Sequence, residues 1–544
     1  MRMKISATVL AVCATLTVAG ASPAPQVKAA RVMEDLGRGV VAVRSSGSQV
    51  LVSWRLLGLD PEGIGFNVYR STAGGAYVKL NSGALTGGTN YTDTTADLTR
   101  ANSYRVTPVV GGQEQAPSGA FTLTAGHAVE PVVRVPLRSG GAVKFVWVGD
   151  LDGDGEYDYV VDRQTSPQKL EAYSGDGDFL WEVDLGPNSL NQDNIEPGSS
   201  AIDVGHWDGV TVYDFDSDGR AEVALRVANG VRFGDGTTWT HENDARQFMA
   251  VLDGRTGALR NWSAVPTTYL ADGPMAARLG VAYLNGTTPS LVAYMKNRRD
   301  DGAFNLMMGA WKFDGDSLDR QWTWQRGGQD APDGHNTRAV DVDGDGTDEV
   351  AEIGFVLNGN GSLRYSMGPR GIIHGDRFHL ADLDPGRPGL EGYGVQQDNP
   401  SGLLEYYYDA ANGNVIWRHG GGPATWGAAW RAMSTRVSPA WRSGPSPACT
   451  TRPPIGSPSR TPRCAPGRSW GCGGTGTSPW NCSTTARSRN GIRPARRRAA
   501  ACPGWSAPGT TARSKPPRAV PPSSATFSAT GARRPCTPTR PTTS

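Results

Sequence analysis

Short runs in which apolar and polar residues alternate, set between Gly, Asn and Asp, fill the chain from residue 31 to about residue 128, and the pattern is again that of strands from about residue 130 to 423. Val50-Leu51-Val52-Ser53-Trp54, Phe66-Asn67-Val68-Tyr69 and Ser103-Tyr104-Arg105-Val106 are examples. Runs of this length and period predict β-strands, and the fold class expected is all-β. Over residues 30–128 the spacing predicts a small β-sandwich. Trp54, Tyr69 and Tyr104 are expected in its core.

From residue 129 to 423 the strand pattern carries an internal repeat. Asp150-Leu151-Asp152-Gly153-Asp154-Gly155-Glu156-Tyr157-Asp158 returns as Asp214-Phe215-Asp216-Ser217-Asp218-Gly219-Arg220-Ala221-Glu222. It returns again as Asp341-Val342-Asp343-Gly344-Asp345-Gly346-Thr347-Asp348-Glu349, and in degenerate form as Asp382-Leu383-Asp384-Pro385-Gly386, closing at Glu391. Recurrent strand units with loops in register predict the blades of a β-propeller. The order Trp54, Asn67-Val68-Tyr69-Arg70, Tyr104-Arg105-Val106 resembles a fibronectin type III module.

Charge divides the chain. Residues 424–544 hold no Asp or Glu, 18 Arg and one Lys, while residues 1–423 carry a net charge of −17. The tail has no Leu, two Ile, two Val and one Phe, too little apolar material to offset chain ordering, and is expected to be disordered. An Arg-rich tail would ordinarily suggest nucleic acid. A shifted reading frame explains more: back-translated one base earlier, the tail permits DVGRGV, GDVDPRVPGMEVW and VGVWWDGDVSV, strings in the style of the preceding repeat. A frameshift near Pro423-Ala424 is therefore expected, and nucleic acid is not an expected partner.

Six of the seven cysteines lie in that tail and the seventh, Cys13, in the first 29 residues, so no disulfide framework is expected in the body. Arg2 and Lys4, the apolar run Ile5 to Val18 and the small residues up to Ala29 read as a secretory signal, too short to span a bilayer. A secreted, soluble monomer is expected.

The acidic repeats carry the candidate chemistry. Ca²⁺ takes six to eight oxygen ligands, and an Asp-x-Asp-x-Asp-Gly loop folds carboxylates around one point. In the first loop Asp150, Asp152, Asp154 and Asp158 are expected to supply side chains and Glu156 its carbonyl. Asp214, Asp216, Asp218 and Glu222 follow in the second loop; Asp341, Asp343, Asp345, Thr347 and Glu349 in the third; Asp382, Asp384 and Glu391 in the fourth. An EF-hand fails, because Val161 and Leu225 stand where its twelfth-position Glu belongs. The bland alternative is that the loops only stiffen the sheets. His335 and His379 are candidate metal ligands and His374 a candidate substrate contact, with purely structural roles as the alternative. Asn188, Asn191, His206 and Trp207 offer amides and an aromatic platform of the kind that binds sugars, or else form a hydrated loop. No nucleophile elbow, P-loop, zincin motif or dinucleotide fingerprint is present.

The stretch Val148 to Tyr157, His374-Gly375-Asp376 with His379, and Asp382 to Glu391 together resemble the rhamnogalacturonan lyases of polysaccharide lyase family 11. The resemblance implies an eight-bladed β-propeller, incomplete in this reading frame, that holds several Ca²⁺ ions. It also implies cleavage of the pectin backbone rhamnogalacturonan I by β-elimination at galacturonate. Departures stand at Phe145-Val146-Trp147, where the family has an Asn-Asp pair, and at Val161-Asp162-Arg163-Gln164, where it has Trp-Asp-Pro. The basic residues that the family uses at the scissile bond belong to later blades, so no catalytic base is assigned and an inactive chain is an expectation. The alternative is a non-catalytic, Ca²⁺-stabilised propeller that binds polysaccharide or protein.

Overall fold

The computed structural model describes residues 30–190, 209–241, 247–266, 276–299, 301–375, 377–397, 400–421 and 524–528. These residues are all-β, and the helical structure is two short 3₁₀ turns, Pro187–Ser189 and Gly368–Arg370.

The N-terminal sandwich has a sheet of Val41–Arg44, Val50–Ser53 and Asn90–Asp93. A second sheet is built on the long pair Gly65–Thr72 and Asn102–Val110. Val41, Val43, Val50 and Val52 from the first share one core with Phe66, Val68, Tyr104 and Val106 from the second. Trp54 packs on Phe66 with ring centroids 5.5 Å apart. Buried Tyr104 donates its hydroxyl to Asp93 Oδ2 at 2.9 Å. Tyr69 differs from the expectation. The two-residue period of the strand that sends Val68 inward sends Tyr69 outward, where its hydroxyl donates to Glu114 at 2.6 Å.

Five four-stranded antiparallel sheets follow, each a meander in chain order. Sheet 1 comprises Val143–Gly149, Asp158–Arg163, Lys169–Tyr173 and Phe179–Asp184. Sheet 2 comprises Val210–Tyr213, Glu222–Ala228, Gln247–Leu252 and Leu259–Ala264. Sheet 3 comprises Ala276–Ala282, Ser290–Arg298, Phe304–Phe313 and Leu318–Gln325. Sheet 4 comprises Arg338–Val340, Glu349–Glu352, Phe355–Leu357 and Leu363–Ser366. Sheet 5 comprises Arg377–Ala381, Glu391–Val395, Leu403–Asp409 and Val415–Gly420.

The first strands of sheets 1 to 4 lie side by side in that order, and the sheets stack face to face. Leu170, Ala172 and Trp181 of sheet 1 share a core with Val212, Val223 and Phe248 of sheet 2. Met249 and Val251 of sheet 2 meet Leu291, Met295 and Trp311 of sheet 3. Middle strands are therefore covered on both faces: all seven residues of Glu222–Ala228 are buried. That is why Val223-Ala224-Leu225 and Phe248-Met249-Ala250-Val251-Leu252 read as unbroken apolar runs rather than as alternation.

One device recurs at the seams. A side chain on the fourth strand of one sheet donates to a carbonyl in the hairpin between strands three and four of the next. Trp181 Nε1 donates to Gly254 at 2.7 Å, Asn261 Nδ2 to Asp316 at 2.6 Å, Trp322 Nε1 to Gly359 at 2.9 Å and the Tyr365 hydroxyl to Ala410 at 2.8 Å. Gly257 (φ 67°) and Gly361 (φ 82°) close two of these hairpins, and a Cβ there would stand 2.7 and 2.6 Å from the Trp181 and Trp322 indoles.

Of residues 424–544, only Ser524–Ser528 is described, as a strand antiparallel to Val132–Pro136. The rest of that tail with its cysteines, and the leader with Cys13, lie outside the described residues.

Candidate functional site

The acidic repeats are the hairpin loops between the first and second strands of sheets 1, 2, 4 and 5, flanked by strands as the failed EF-hand spacing requires. In the first, Asp150 takes the amides of Gly153 and Gly155, each at 2.7 Å. Asp158, the first residue of the second strand, reaches back to the amide of Leu151 at 2.8 Å. Glu222 does the same to Phe215, Glu349 to Val342 and Glu391 to Leu383. One register position thus closes all four loops.

The structure brings carboxylates together in three of them. Oxygen atoms of Asp150, Asp152 and Asp158, of Asp214, Asp216 and Asp218, and of Asp341, Asp343 and Glu349 lie within 4.8 Å of one another. Burial, followed by repulsion from Asp152, pushes Asp158 up to about 7. Burial and Asp216 push Glu222 to about 8, and burial with Asp343 pushes Glu349 to about 7. Arg364 stands 2.6 Å from Asp343 and Arg260 3.6 Å from Asp216, yet burial and mutual repulsion still raise Glu349 and Asp216, and acidic oxygens gathered on one point fit a divalent cation. Asp154 and Asp345 stand outside these groups and cap their own loops, through the amides of Glu156 and Thr347 at 2.7 Å. The Thr347 hydroxyl also donates to Asp345. In the fourth loop Asp382, Asp384 and Glu391 form no such group among the described residues. Arg387 Nε stands 3.6 Å from Glu391 instead.

The Glu156 side chain turns to the sandwich, 3.4 Å from buried Arg55. Arg55 also donates to the carbonyls of Gly37 and Gly155, at 2.8 and 3.0 Å, and covers the Tyr157 ring at 4.0 Å. The first acidic loop and the sandwich are therefore held as one unit.

A second polar cluster occupies the opposite end of the strands and was not foreseen from the sequence. Asp333–Gly334 and His374–Gly375 pair in parallel. His374 Nδ1 stands 2.9 Å from Asp333 Oδ2 and Nε2 3.1 Å from Gln397 Oε1. Lys296, at the end of the second strand of sheet 3, donates to the Gly334 carbonyl at 2.8 Å and lies 3.6 Å from Asp333. The His335 and His374 rings meet edge to face at 5.2 Å. Burial lowers Lys296, and burial with the Lys296 charge holds His335 down at about 3. Burial would lower His374 as well, but the hydrogen bond and charge of Asp333 outweigh it and raise the imidazole.

His335 and His374 are thus brought together, but away from the acidic loops: strand Arg338–Val340 separates His335 from Asp341. His379 lies on Arg377–Ala381, and burial with Arg338 and Arg377 lowers it. Asn188, in the turn after sheet 1, donates to the Asn229 carbonyl at 2.9 Å. Asn191, His206 and Trp207 lie outside the described residues. Sequence reasoning missed Lys296, Asp333 and Glu352. The available signal was a glycine beside a histidine twice, Gly334-His335 and His374-Gly375.

Comparison with known proteins defines the class. The family model for the C-terminal domain of rhamnogalacturonan lyase family 11 matches residues 142–445, and that for the rhamnogalacturonan I lyase beta-sheet domain matches residues 31–123. The chain belongs to rhamnogalacturonan lyase family 11. It is 34% identical to the rhamnogalacturonan endolyase YesW of Bacillus subtilis, over 74% of this chain and 68% of that protein. It is 31% identical to the exolyase YesX of the same organism, over 76% and 69%. The solved structure of the Bacillus licheniformis rhamnogalacturonan lyase PL11 superposes with a TM-score of 0.61 at 30% identity, covering 72% of this chain and 70% of that one.

Proposed function

We propose that the protein is a secreted, Ca²⁺-binding rhamnogalacturonan lyase whose five sheets are blades of a propeller. The observation that carries the reading is the family match over residues 142–445, the span that holds both the acidic loops and the cluster around His374. Homology to rhamnogalacturonan endolyases and exolyases supports the lyase function and a pectic polysaccharide as substrate. Side-by-side first strands and the repeated seam between neighbouring sheets support the propeller. Among the described residues no helix is long and apolar enough to cross a membrane.

The residues present fit Ca²⁺. Asp150, Asp152 and Asp158 would hold one ion, Asp214, Asp216 and Asp218 a second, and Asp341, Asp343 and Glu349 a third. Bound there, Ca²⁺ supplies positive charge that holds the loops closed. In the reaction a base takes the proton at C5 of galacturonate, the C4–O4 bond breaks, and the departing sugar oxygen gains a proton. The product is a 4,5-unsaturated uronate. The C5 proton is acidic enough only when the adjacent carboxylate is neutralised. At the other end of the strands, buried Lys296 stands with half-buried His335 and His374.

The test is ultraviolet absorbance of the unsaturated product on rhamnogalacturonan I, with and without a chelator. Signal that needs Ca²⁺ supports the reading. Retention of the polymer without product points to the non-catalytic binding module. The same assay on a chain with its reading frame restored after Pro423 shows how far activity depends on the later blades.

A further inference from the structure

Residues 31–37, ahead of the first strand of the sandwich, form no helix or strand. They nevertheless lie across the hairpins that join the first and second strands of sheets 1, 3 and 4. At one end the Gly37 amide donates to the carbonyl of Gly155, in the first acidic loop, at 2.6 Å. Near the other end the Val32 amide donates to the Thr287 carbonyl and the Tyr283 hydroxyl to the Val32 carbonyl, each at 2.8 Å. Thr287 and Tyr283 both belong to the hairpin of sheet 3. Arg31 forks onto Asp348 of the third acidic loop, with nitrogen–oxygen distances of 2.6 and 3.2 Å. Its guanidinium stands 4.8 Å from the centre of the Tyr283 ring. The Tyr283 hydroxyl also meets that of Tyr213, the residue before Asp214 of the second acidic loop, at 2.6 Å.

The two outer ties adjoin grouped carboxylates. Gly155, whose carbonyl takes the Gly37 amide, gives its own amide to Asp150 at 2.7 Å. Asp348 precedes Glu349 in the chain and stands outside the grouped oxygens. Its carboxylate takes the Tyr283 amide at 2.8 Å, and its amide donates to the Tyr283 carbonyl at 3.0 Å. Grouped carboxylates repel one another and gain by moving apart when no cation holds them. A segment fixed to Gly155 and Asp348 resists that movement. It keeps the oxygens gathered before a cation arrives, which lowers the ordering cost of binding. Val32 and Met33 are 44% and 40% exposed, so the segment lies on the surface, where it can lift without opening the sheets.

We propose that residues 31–37 are a strap whose docking is linked to Ca²⁺ in the first and third acidic loops. The docked strap tightens cation binding, and the bound cation holds the strap down. The linkage rests on the Ca²⁺ reading of those loops; the strap itself rests on its contacts. Both directions follow together, because a coupling free energy between two events acts equally on each. Val32 and Tyr283 are positioning residues, acting on the loops through Thr287 and Asp348.

The test uses the full chain and two charge-neutral variants. Val32→Pro deletes the amide that Thr287 takes, and Tyr283→Phe deletes the hydroxyl that Val32 and Tyr213 share. Every charge around the loops stays in place, so a loss of affinity is not a loss of counter-charge. In titration calorimetry Ca²⁺ is expected to bind each variant at least about fivefold more weakly than the parent. Hydrogen exchange on the parent is expected to slow at the Val32 and Gly37 amides by at least about fivefold when Ca²⁺ replaces chelator. If Val32→Pro does not fold, Tyr283→Phe carries the same comparison, and the exchange experiment needs no variant. A strap that is only a fixed tie would lower the thermal midpoint of the variants and leave their Ca²⁺ affinity at the parent's. That result overturns the proposal. Ca²⁺ bound to the parent without any change in exchange at Val32 and Gly37 sinks the linkage alone. A parent that takes up no Ca²⁺ sinks the metal reading, and the linkage with it.

Discussion

The indole of Trp181 donates to the carbonyl of Gly254, one sheet away, at 2.7 Å, and the same ring lies over Gly257. The hairpin of sheet 2 is thus shaped to receive a side chain of sheet 1. Gly257→Ala would add both a left-handed backbone penalty at φ 67° and a Cβ 2.7 Å from the indole. The expected loss is about 2–4 kcal/mol, from backbone strain plus overpacking. Gly302 isolates the first part: its φ is 83° but a Cβ there meets nothing within 4 Å. Gly302→Ala should cost only about 1–2 kcal/mol. Urea unfolding of both variants measures the difference; equal losses would mean that the seam contributes nothing.

Stability without metal should fall as pH rises. Unfolded, the loop carboxylates titrate near about 4; folded and metal-free, Asp158 and Glu349 titrate at about 7 and Glu222 at about 8. The folded state holds more protons across that window, so its stability is fullest below pH of about 4 and drains away up to about 8. Chelated protein should lose on the order of a few kcal/mol over this range. With Ca²⁺ bound the carboxylates stay ionised at little cost, and the decline should vanish. Thermal melts with chelator and with Ca²⁺, repeated across pH, would show it; parallel curves would argue against ions in these loops.

Sheet 3 shows what such a hairpin looks like with its acids removed. Ser290 stands at the register position of Asp158, and Asn285 caps the turn through the amides of Thr287 and Thr288, both at 2.9 Å. Asp158→Asn should move the first loop toward that state. Titration calorimetry is expected to find one Ca²⁺ fewer at saturation. The metal-free variant should be more stable than the metal-free parent at pH about 8, because a buried, repelled charge is gone. An unchanged ion count would take Asp158 out of the ligand set.

Much of this arrangement was legible because its causes are local. An Asp-x-Asp-x-Asp-Gly loop contains its acids and its turn within nine residues, so its position between two strands follows from the string alone. The fourth loop differs in that Arg387, four residues before Glu391, stands 3.6 Å from it. Lys296, Asp333, Glu352 and His374 could not be read together, since each sits on a different element and only the stacking of sheets 3, 4 and 5 unites them. Lys296 sits near the end of an otherwise buried strand, where alternation gives no warning of a charge.

That lysine supplies the sharpest test of the cluster. Its ammonium is buried between the Gly334 carbonyl and Asp333 Oδ2, at 2.8 and 3.6 Å. Asp333→Asn would take from buried Lys296 its nearest carboxylate and leave Glu352 as the remaining acid beside it, at an expected cost of about 3–5 kcal/mol. Lys296→Met removes the charge together with its desolvation penalty, and Asp333 retains His374 as a partner at 2.9 Å. That variant should cost less, about 1–2 kcal/mol. The double variant should therefore be more stable than the sum of the single losses predicts, by about 1–3 kcal/mol. Urea unfolding in Ca²⁺ closes the cycle. Strict additivity would mean that water, rather than Asp333, solvates the Lys296 ammonium.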